Sequence, residues 1–233
     1  MQGNGRYERQ TALPEVGTEG QERLSKARVL IVGVGGLGSP VALYLAAAGV
    51  GTLGLIDGDK VSLNNLQRQV LYTENQIGQP KAMCAAKKLQ ELNSNICVNA
   101  YCYRLDRSNA RELVSQYDLV IDGCDNFATR YLLNDTCISL QIPYIYGAIR
   151  HLEGQVSVFC YGDNPRTYRE LYPDETSMLD LPEDKAVMGI TPAVTGSIEA
   201  GEALKILVGY GEPLIGRLWT IDLRTMQTHI LYF

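Results

Sequence analysis

The chain has 233 residues, 45% hydrophobic and 20% charged, and a formal net charge of −5. That length buries the core of one α/β domain, and the acidic balance excludes a broad nucleic-acid-binding surface while leaving room for a local basic pocket. The polar opening "MQGNGRYERQ" holds no apolar signal core and "PVALYLAAAGV" is too short to span a bilayer, so a cytoplasmic protein without membrane or nucleic-acid partners is expected.

Strands are expected at 28–33, 52–57, 96–102, 118–122 and 143–148, with helices between them at 38–48, 79–92, 108–116 and 126–140. This alternation predicts a Rossmann-like, doubly wound, mostly parallel α/β sheet. Beyond Gly147 the pattern changes. "GQVSVFCY" alternates apolar and polar residues as a half-buried antiparallel strand does. A long stretch rich in Pro and Asp follows, with no sustained period. Pro192 then opens a helix that ends near Gly209, and "GRLWTIDL" and "QTHILYF" close the chain as antiparallel strands. The six cysteines (Cys84, Cys97, Cys102, Cys124, Cys137, Cys160) include no C-x-x-C and read as buried thiols.

The stretch "RVLIVGVGGLGSPVA" carries G-x-G-x-x-G as Gly33, Gly35 and Gly38, directly after a strand. Glycines there let backbone amides approach a phosphate at the positive end of the following helix. Asp57 closes the next strand, where a ribose-binding carboxylate is expected. Ribose is common to NAD and ATP, so Asp57 does not choose between them.

Three further stretches suit a triphosphate. "NNLQRQ" places Asn65 and Arg68 near the same crevice, and a planar guanidinium donates bidentately to phosphate oxygens; alone, the stretch also reads as a solvated turn. Lys81 in "GQPKAM" falls in the first turn of a helix, where it opposes the dipole, so either a phosphate contact or solvation accounts for it. "DLVIDGCDN" ends a strand in Asp122, Asp125 and Asn126: Asp125 is placed to hold Mg²⁺, and either residue can instead cap the next helix. Hydride transfer needs a proton donor, and His151 and His229, the only histidines, lie in no catalytic setting. An NAD-dependent dehydrogenase is the runner-up.

Together these pieces resemble the ThiF/MoeB/HesA family, the bacterial relatives of ubiquitin-activating enzymes. The resemblance runs from "RYERQ" (Arg6 to Gln10) through "GVGGLGSPVALYLAAAGVGTLGLIDGD", "VSLNNLQRQ", "IGQPKA" and "DGCDN" to "EGQVSVF" and "GSIEAGEALKIL". It implies an adenylyltransferase that uses ATP and Mg²⁺ to activate the C-terminal glycine carboxylate of a ubiquitin-like sulfur carrier ending in Gly-Gly. The glycines Gly33, Gly35, Gly36 and Gly38 would line the nucleotide, and Asp57 would hold its ribose. Asn65, Arg68 and Lys81 would bind the phosphates, and Asp125 would coordinate Mg²⁺ with Asn126 beside it. Arg9 would reach in from the partner subunit of a homodimer and complete a catalytic set with Arg68, Lys81 and Asp125.

The resemblance divides the chain into an N-terminal arm and helix (1–27), a nucleotide-binding half (28–148) and a carrier-binding half (149–233) with a crossover loop at about 162–189. It leans towards the thiamine branch, with a ThiS-like carrier; activation of the molybdopterin-synthase small subunit, or a non-sulfur role, is the alternative. Two departures stand out. Thr167 and Glu170 occupy positions of a zinc-binding C-x-x-C pair in many relatives, so no structural zinc is expected. Asp184 falls where ThiF-type relatives carry a loop cysteine, so sulfur would come from a separate persulfide donor. Cys124 is then the one thiol beside the nucleotide, and it reads more simply as a buried filler.

Overall fold

The computed structural model describes residues 5–182, 184 and 186–233. Among these, eight strands form one sheet: β1 (Arg28–Val32), β2 (Thr52–Ile56), β3 (Cys97–Tyr101), β4 (Leu119–Asp122), β5 (Tyr144–Arg150), β6 (Glu153–Phe159), β7 (Arg217–Asp222) and β8 (Gln227–Tyr232). Their order is β3-β2-β1-β4-β5-β6-β7-β8. The first five are parallel and the last three are added antiparallel. The expected mostly parallel sheet with an antiparallel C-terminal extension is the observed one.

The continuous apolar run of β1 follows from burial on both faces. Val29 and Ile31 point into one layer, with Leu24, Val41, Leu45, Ala85 and Ala203, while Leu30 and Val32 join the other, with Leu113, Tyr131 and Tyr144. The first layer is supplied by α2 (Gly17–Lys26), α3 (Gly38–Ala48), α4 (Lys81–Leu92) and α9 (Ile190–Val208). The second comes from α5 (Ala110–Val114), α6 (Phe127–Leu140) and the short α7 (Tyr168–Leu171). A short helix α1 (Glu8–Thr11) precedes α2, and α8 (Glu175–Leu179) follows α7.

Four expectations are corrected. The stretch after β6 is not structureless, since α7 and α8 lie within it. Thr167 and Glu170 form a capping box at the start of α7, with the Thr167 amide donating to Glu170 Oε1 at 2.9 Å. Helix α9 begins at Ile190, two residues before Pro192; a proline is tolerated there because the first turn leaves its N–H groups without intrahelical acceptors. Of the six thiols, Cys84, Cys124 and Cys137 are buried, Cys97 and Cys102 are exposed and Cys160 is intermediate. Strand β6 is also more than half-buried, because α9 covers one face and the Tyr146–Phe159–Tyr168 aromatic cluster the other.

One acid lies wholly inside. Glu199 of α9 is fully buried against the backbone of Gly147 on β5, where any Cβ would run into its carboxyl group. Neither carboxyl oxygen has a hydrogen-bond partner among the described residues. Burial pushes its pKa well above the ordinary value and the Asp122 carboxylate adds to the effect, against the opposing pull of Arg130. In the unfolded chain the same group ionises near pH 4.3. The fold therefore keeps its full stability from Glu199 below about pH 4, and loses it progressively as pH rises towards the elevated folded value. Glu199→Gln should raise the melting temperature by about 3 °C or more at pH 8, with much less change at pH 4, as read by thermal denaturation across that range.

Candidate active site

The candidate site lies where the strand order reverses, beyond the carboxyl ends of β1 and β4. Gly33 has φ +88° there, and a Cβ would sit 2.6 Å from the carbonyl oxygen of Gly123. A Cβ on Gly38 would collide with the carbonyl of Gly33. The first and third glycines thus let the turn leave β1 sharply and seat α3 against it. Gly35 and Gly36 form the crest of the turn. A Cβ on Gly36 would lie 3.1 Å from Pro192 Cβ and 3.6 Å from Arg68 Cδ, so the start of α9 and the Arg68 stem converge on this point.

Asp57, one residue past β2, ties the turn to the neighbouring strand end. Its Oδ2 accepts from the Val34 amide at 3.0 Å and its Oδ1 from the Asp59 amide at 2.8 Å. Burial lifts its pKa above the ordinary range, while the two amides and Lys81 work the other way.

Lys81 is not solvated. It is 5% exposed at the start of α4, with Nζ 3.3 Å from Asp59 Oδ2. Asp59 also takes Arg104 Nη2 at 3.1 Å. Burial works against its ionisation, yet Lys81 and Arg104 together hold the carboxyl below its usual range. Arg68, half-buried, donates from Nη1 to the Asn64 carbonyl at 3.0 Å, and Asn65 Nδ2 donates to Asn64 Oδ1 at 3.0 Å. The "NNLQRQ" stretch thereby curls beside the glycine turn. Its last residue, Gln69, is buried with Nε2 against Gly35 and with Oε1 unpartnered among the described residues.

The opposite wall is the turn after β4. Asn126 caps α6, accepting from the Thr129 amide at 2.9 Å, so of the two residues it is Asn126 that caps. Asp125 stands exposed on the crest. A single carboxylate suits Mg²⁺, which fills its octahedral shell from phosphates and water. No group of three or more His, Cys, Asp or Glu side chains capable of caging a metal occurs among the described residues. The donor chemistry fits a cation shared with a nucleotide. Cys124 is buried, with Sγ 2.7 Å from Asp122 Oδ1. Burial and then Asp122 push its thiol pKa well up, which makes it a poor nucleophile.

Arg9 does not join these residues. It lies on α1, next to residues that bind the far end of α3: Gln10 Nε2 donates to the Ala48 carbonyl at 3.1 Å, and Tyr7 packs on Gly49. The 11 residues of α3 separate it from the turn by about 16 Å. Asp184 is clasped by Arg150 Nε at 3.1 Å and His151 Nε2 at 2.8 Å, which ties the crossover segment to the β5–β6 hairpin. Sequence reasoning missed Asp59, Gln69, Arg130 and Glu199. The first two sit inside motifs it singled out, "DGD" and "NNLQRQ"; the last two are lone charges on helices, with no local signal.

The chain is similar to several known proteins. A family described as "ThiF family" matches residues 7–232. A Thermus thermophilus "Sulfur carrier protein adenylyltransferase" is 49% identical over 223 residues, covering 93% of this chain and 82% of that protein. A "Probable molybdopterin-synthase adenylyltransferase" from Porphyra purpurea is 45% identical over 225 residues, covering 95% of this chain but 59% of that longer protein. The crystal structure of PaaA superimposes with a TM-score of 0.85 at 26% identity, covering all of this chain and 74% of that one. With the match running almost end to end and relatives near half identical, the chain belongs to the ThiF family.

Proposed function

We propose that this protein is an ATP-dependent adenylyltransferase that activates the C-terminal glycine carboxylate of a ubiquitin-like sulfur carrier. The observation that carries the reading is the pairing of a strained glycine turn with a buried lysine. Lys81 is held by Asp59 at a helix start where its charge opposes the dipole, next to a backbone shaped for phosphate. The named activity of the Thermus relative supports the same chemistry.

In this reading Gly33, Gly35, Gly36 and Gly38 cradle the phosphates, and Asp57 takes the ribose hydroxyls. Asn65, Arg68 and Lys81 hold the phosphate oxygens as the carrier carboxylate approaches the α-phosphorus. Two anions are thus brought together that repel in water, and the charge growing on the departing pyrophosphate is met by fixed cations. Mg²⁺, when bound at Asp125, supplies further neutralisation of the phosphates. The step requires no covalent nucleophile, which agrees with a Cys124 thiol kept protonated. The half at 28–148 serves the nucleotide and the half at 149–233 the carrier.

A homodimer is part of the proposal, with Arg9 completing the partner's site; its position at the far end of α3 supports that role. We further propose a ThiS-like carrier of the thiamine pathway, a separate persulfide donor and a cytoplasmic setting. The molybdopterin reading is favoured by the name of the Porphyra relative. Hydride transfer finds no support, since His151 is engaged by Asp184 and His229 lies on the exposed strand β8.

Carrier-dependent ATP–pyrophosphate exchange, run with each Gly-Gly-ending small protein of the source organism, should proceed with one of them and so name the pathway. Asp125→Ala and Arg68→Ala should each lower that exchange by about a hundredfold or more without changing the circular dichroism spectrum; near-wild-type rates in either would refute the assignment. Arg9→Ala and Asp125→Ala chains should each be inactive alone. Mixed in equal amounts and allowed to exchange subunits, they should recover about a quarter of wild-type activity, because half the dimers then hold one intact site.

A further inference from the structure

The Asp125 turn is held from beneath by a buried ion pair. Asp122, the last residue of β4, is fully buried. Its Oδ1 accepts from the Cys124 amide at 2.9 Å and the Cys124 thiol at 2.7 Å. Its Oδ2 accepts from Arg130 Nε at 3.1 Å and the Tyr144 hydroxyl at 3.0 Å. Arg130, one helical turn into α6 and 7% exposed, spreads its guanidinium over three elements. Beyond Asp122 on β4, its Nη2 reaches the carbonyl of Cys124 in the turn at 3.1 Å and that of Gly147 on β5 at 3.3 Å. The rings of Phe127 and Tyr146 lie 5.7 and 5.5 Å from it.

A buried ion pair is an expensive way to fill a core, since desolvation of both charges offsets most of their attraction and apolar residues of similar volume serve as well. What apolar residues cannot do is bond the backbone on either side of a turn. Here the amide of Cys124 is bonded to Asp122 and its carbonyl to Arg130, so the two peptide units that meet at Cys124, the second of them leading into Asp125, are each held by one bond. On the other side Asn126 is fixed as the cap of α6. Gly123 packs on Gly33, which locks the turn to the glycine crest across the crevice.

We propose that Arg130 is a positioning residue for Asp125: through Asp122 and the Cys124 carbonyl it sets the direction in which Asp125 presents its carboxylate to a nucleotide-bound cation. The inference rests on Asp125 being the cation ligand and extends that reading to the residue beneath it. Lysine at position 130 keeps the charge for Asp122, but a single ammonium cannot reproduce the planar fork across Asp122, Cys124 and Gly147.

The test measures ATP affinity by calorimetry with and without Mg²⁺, the Mg²⁺ concentration for half-maximal carrier-dependent exchange, and amide hydrogen exchange at Gly123–Asn126. It uses the full chain and Arg130→Lys, Tyr144→Phe and Asp125→Ala variants. Arg130→Lys should raise the half-saturating Mg²⁺ about tenfold or more, with the rate largely recovered at excess Mg²⁺, and should leave Mg²⁺-free ATP affinity within about twofold. Amide exchange in the turn should speed up in parallel. Tyr144→Phe, which removes only the hydroxyl on Asp122, should shift the Mg²⁺ requirement in the same direction by a smaller factor, and it decides the question if Arg130→Lys does not fold. An unchanged Mg²⁺ requirement in the folded variants, or an equal loss of affinity with and without Mg²⁺, overturns the positioning role. Asp125→Ala is the separate control: if it retains the wild-type Mg²⁺ dependence, the cation reading of Asp125 itself is wrong, whatever Arg130 does.

Discussion

The site depends on a close backbone approach between the turn after β1 and the turn after β4. Gly33 and Gly123 meet with no room for a Cβ on either, and Gly38 seats the start of α3 on the same carbonyl. Because these contacts are between main-chain atoms, they fix the spacing of the two walls more firmly than side-chain packing does. The crest at Gly35 and Gly36 on one wall and Asp125 on the other inherit their separation from that contact. A side chain at any of the three glycines would wedge the crevice open before it touched a ligand.

Around this frame the protein sets acids and bases in a graded order. Asp57 and Asp59 secure the glycine turn and Lys81 through short local bonds, with Asp59 exposed at the rim and Lys81 buried behind it. Asp122 and Arg130 lie beneath the opposite wall, buried and mutually neutral. Glu199 is as deeply buried as Asp122, and burial together with the Asp122 carboxylate raises its pKa, which disfavours a second negative charge beside the pair. Arg68 and Lys81 border the glycine crest, and Asp59 beside them is paired with both Lys81 and Arg104. A site for a polyanion can therefore exist in a protein of net charge −5.

Much of this was readable from the chain. Apolar runs such as "RVLIV" and "LVID", each followed by a glycine turn, fixed the strands because both sheet faces are covered and little else can bury such a run. The glycine spacing and Asp57 were readable for the same local reason: they are contiguous with the strand they terminate. What escaped were pairings made across the fold. For Lys81 the helix position left a phosphate contact and solvation both open, and only the return of "DGD" beside it supplies the partner that allows burial. Arg130 and Glu199 meet Asp122 and Gly147 through the sheet, at separations in sequence that no periodicity encodes. The helices α7 and α8 are too short for a 3.6-residue period to emerge, and are set by their caps.

The two positions where this chain departs from its relatives show how a local role can be replaced. At the first, T-x-x-E occupies the spacing of a C-x-x-C pair, and the same three-residue interval that brings two thiolates to one metal also brings a hydroxyl and a carboxylate to the two ends of a helical turn. Thr167 and Glu170 thus organise the chain locally, without a metal. At the second, Asp184 pairs with Arg150 at 3.1 Å and contacts His151 Nε2 at 2.8 Å, which anchors the crossover segment. A carboxylate held this way is no sulfur nucleophile, and the deeply buried Cys124 thiol is a poor substitute. Phosphoanhydride chemistry at the crest needs neither, because its demands are alignment and charge neutralisation. The framework that meets those demands is the pair of backbone turns at Gly33 and Gly123, and neither Thr167 nor Asp184 is part of it.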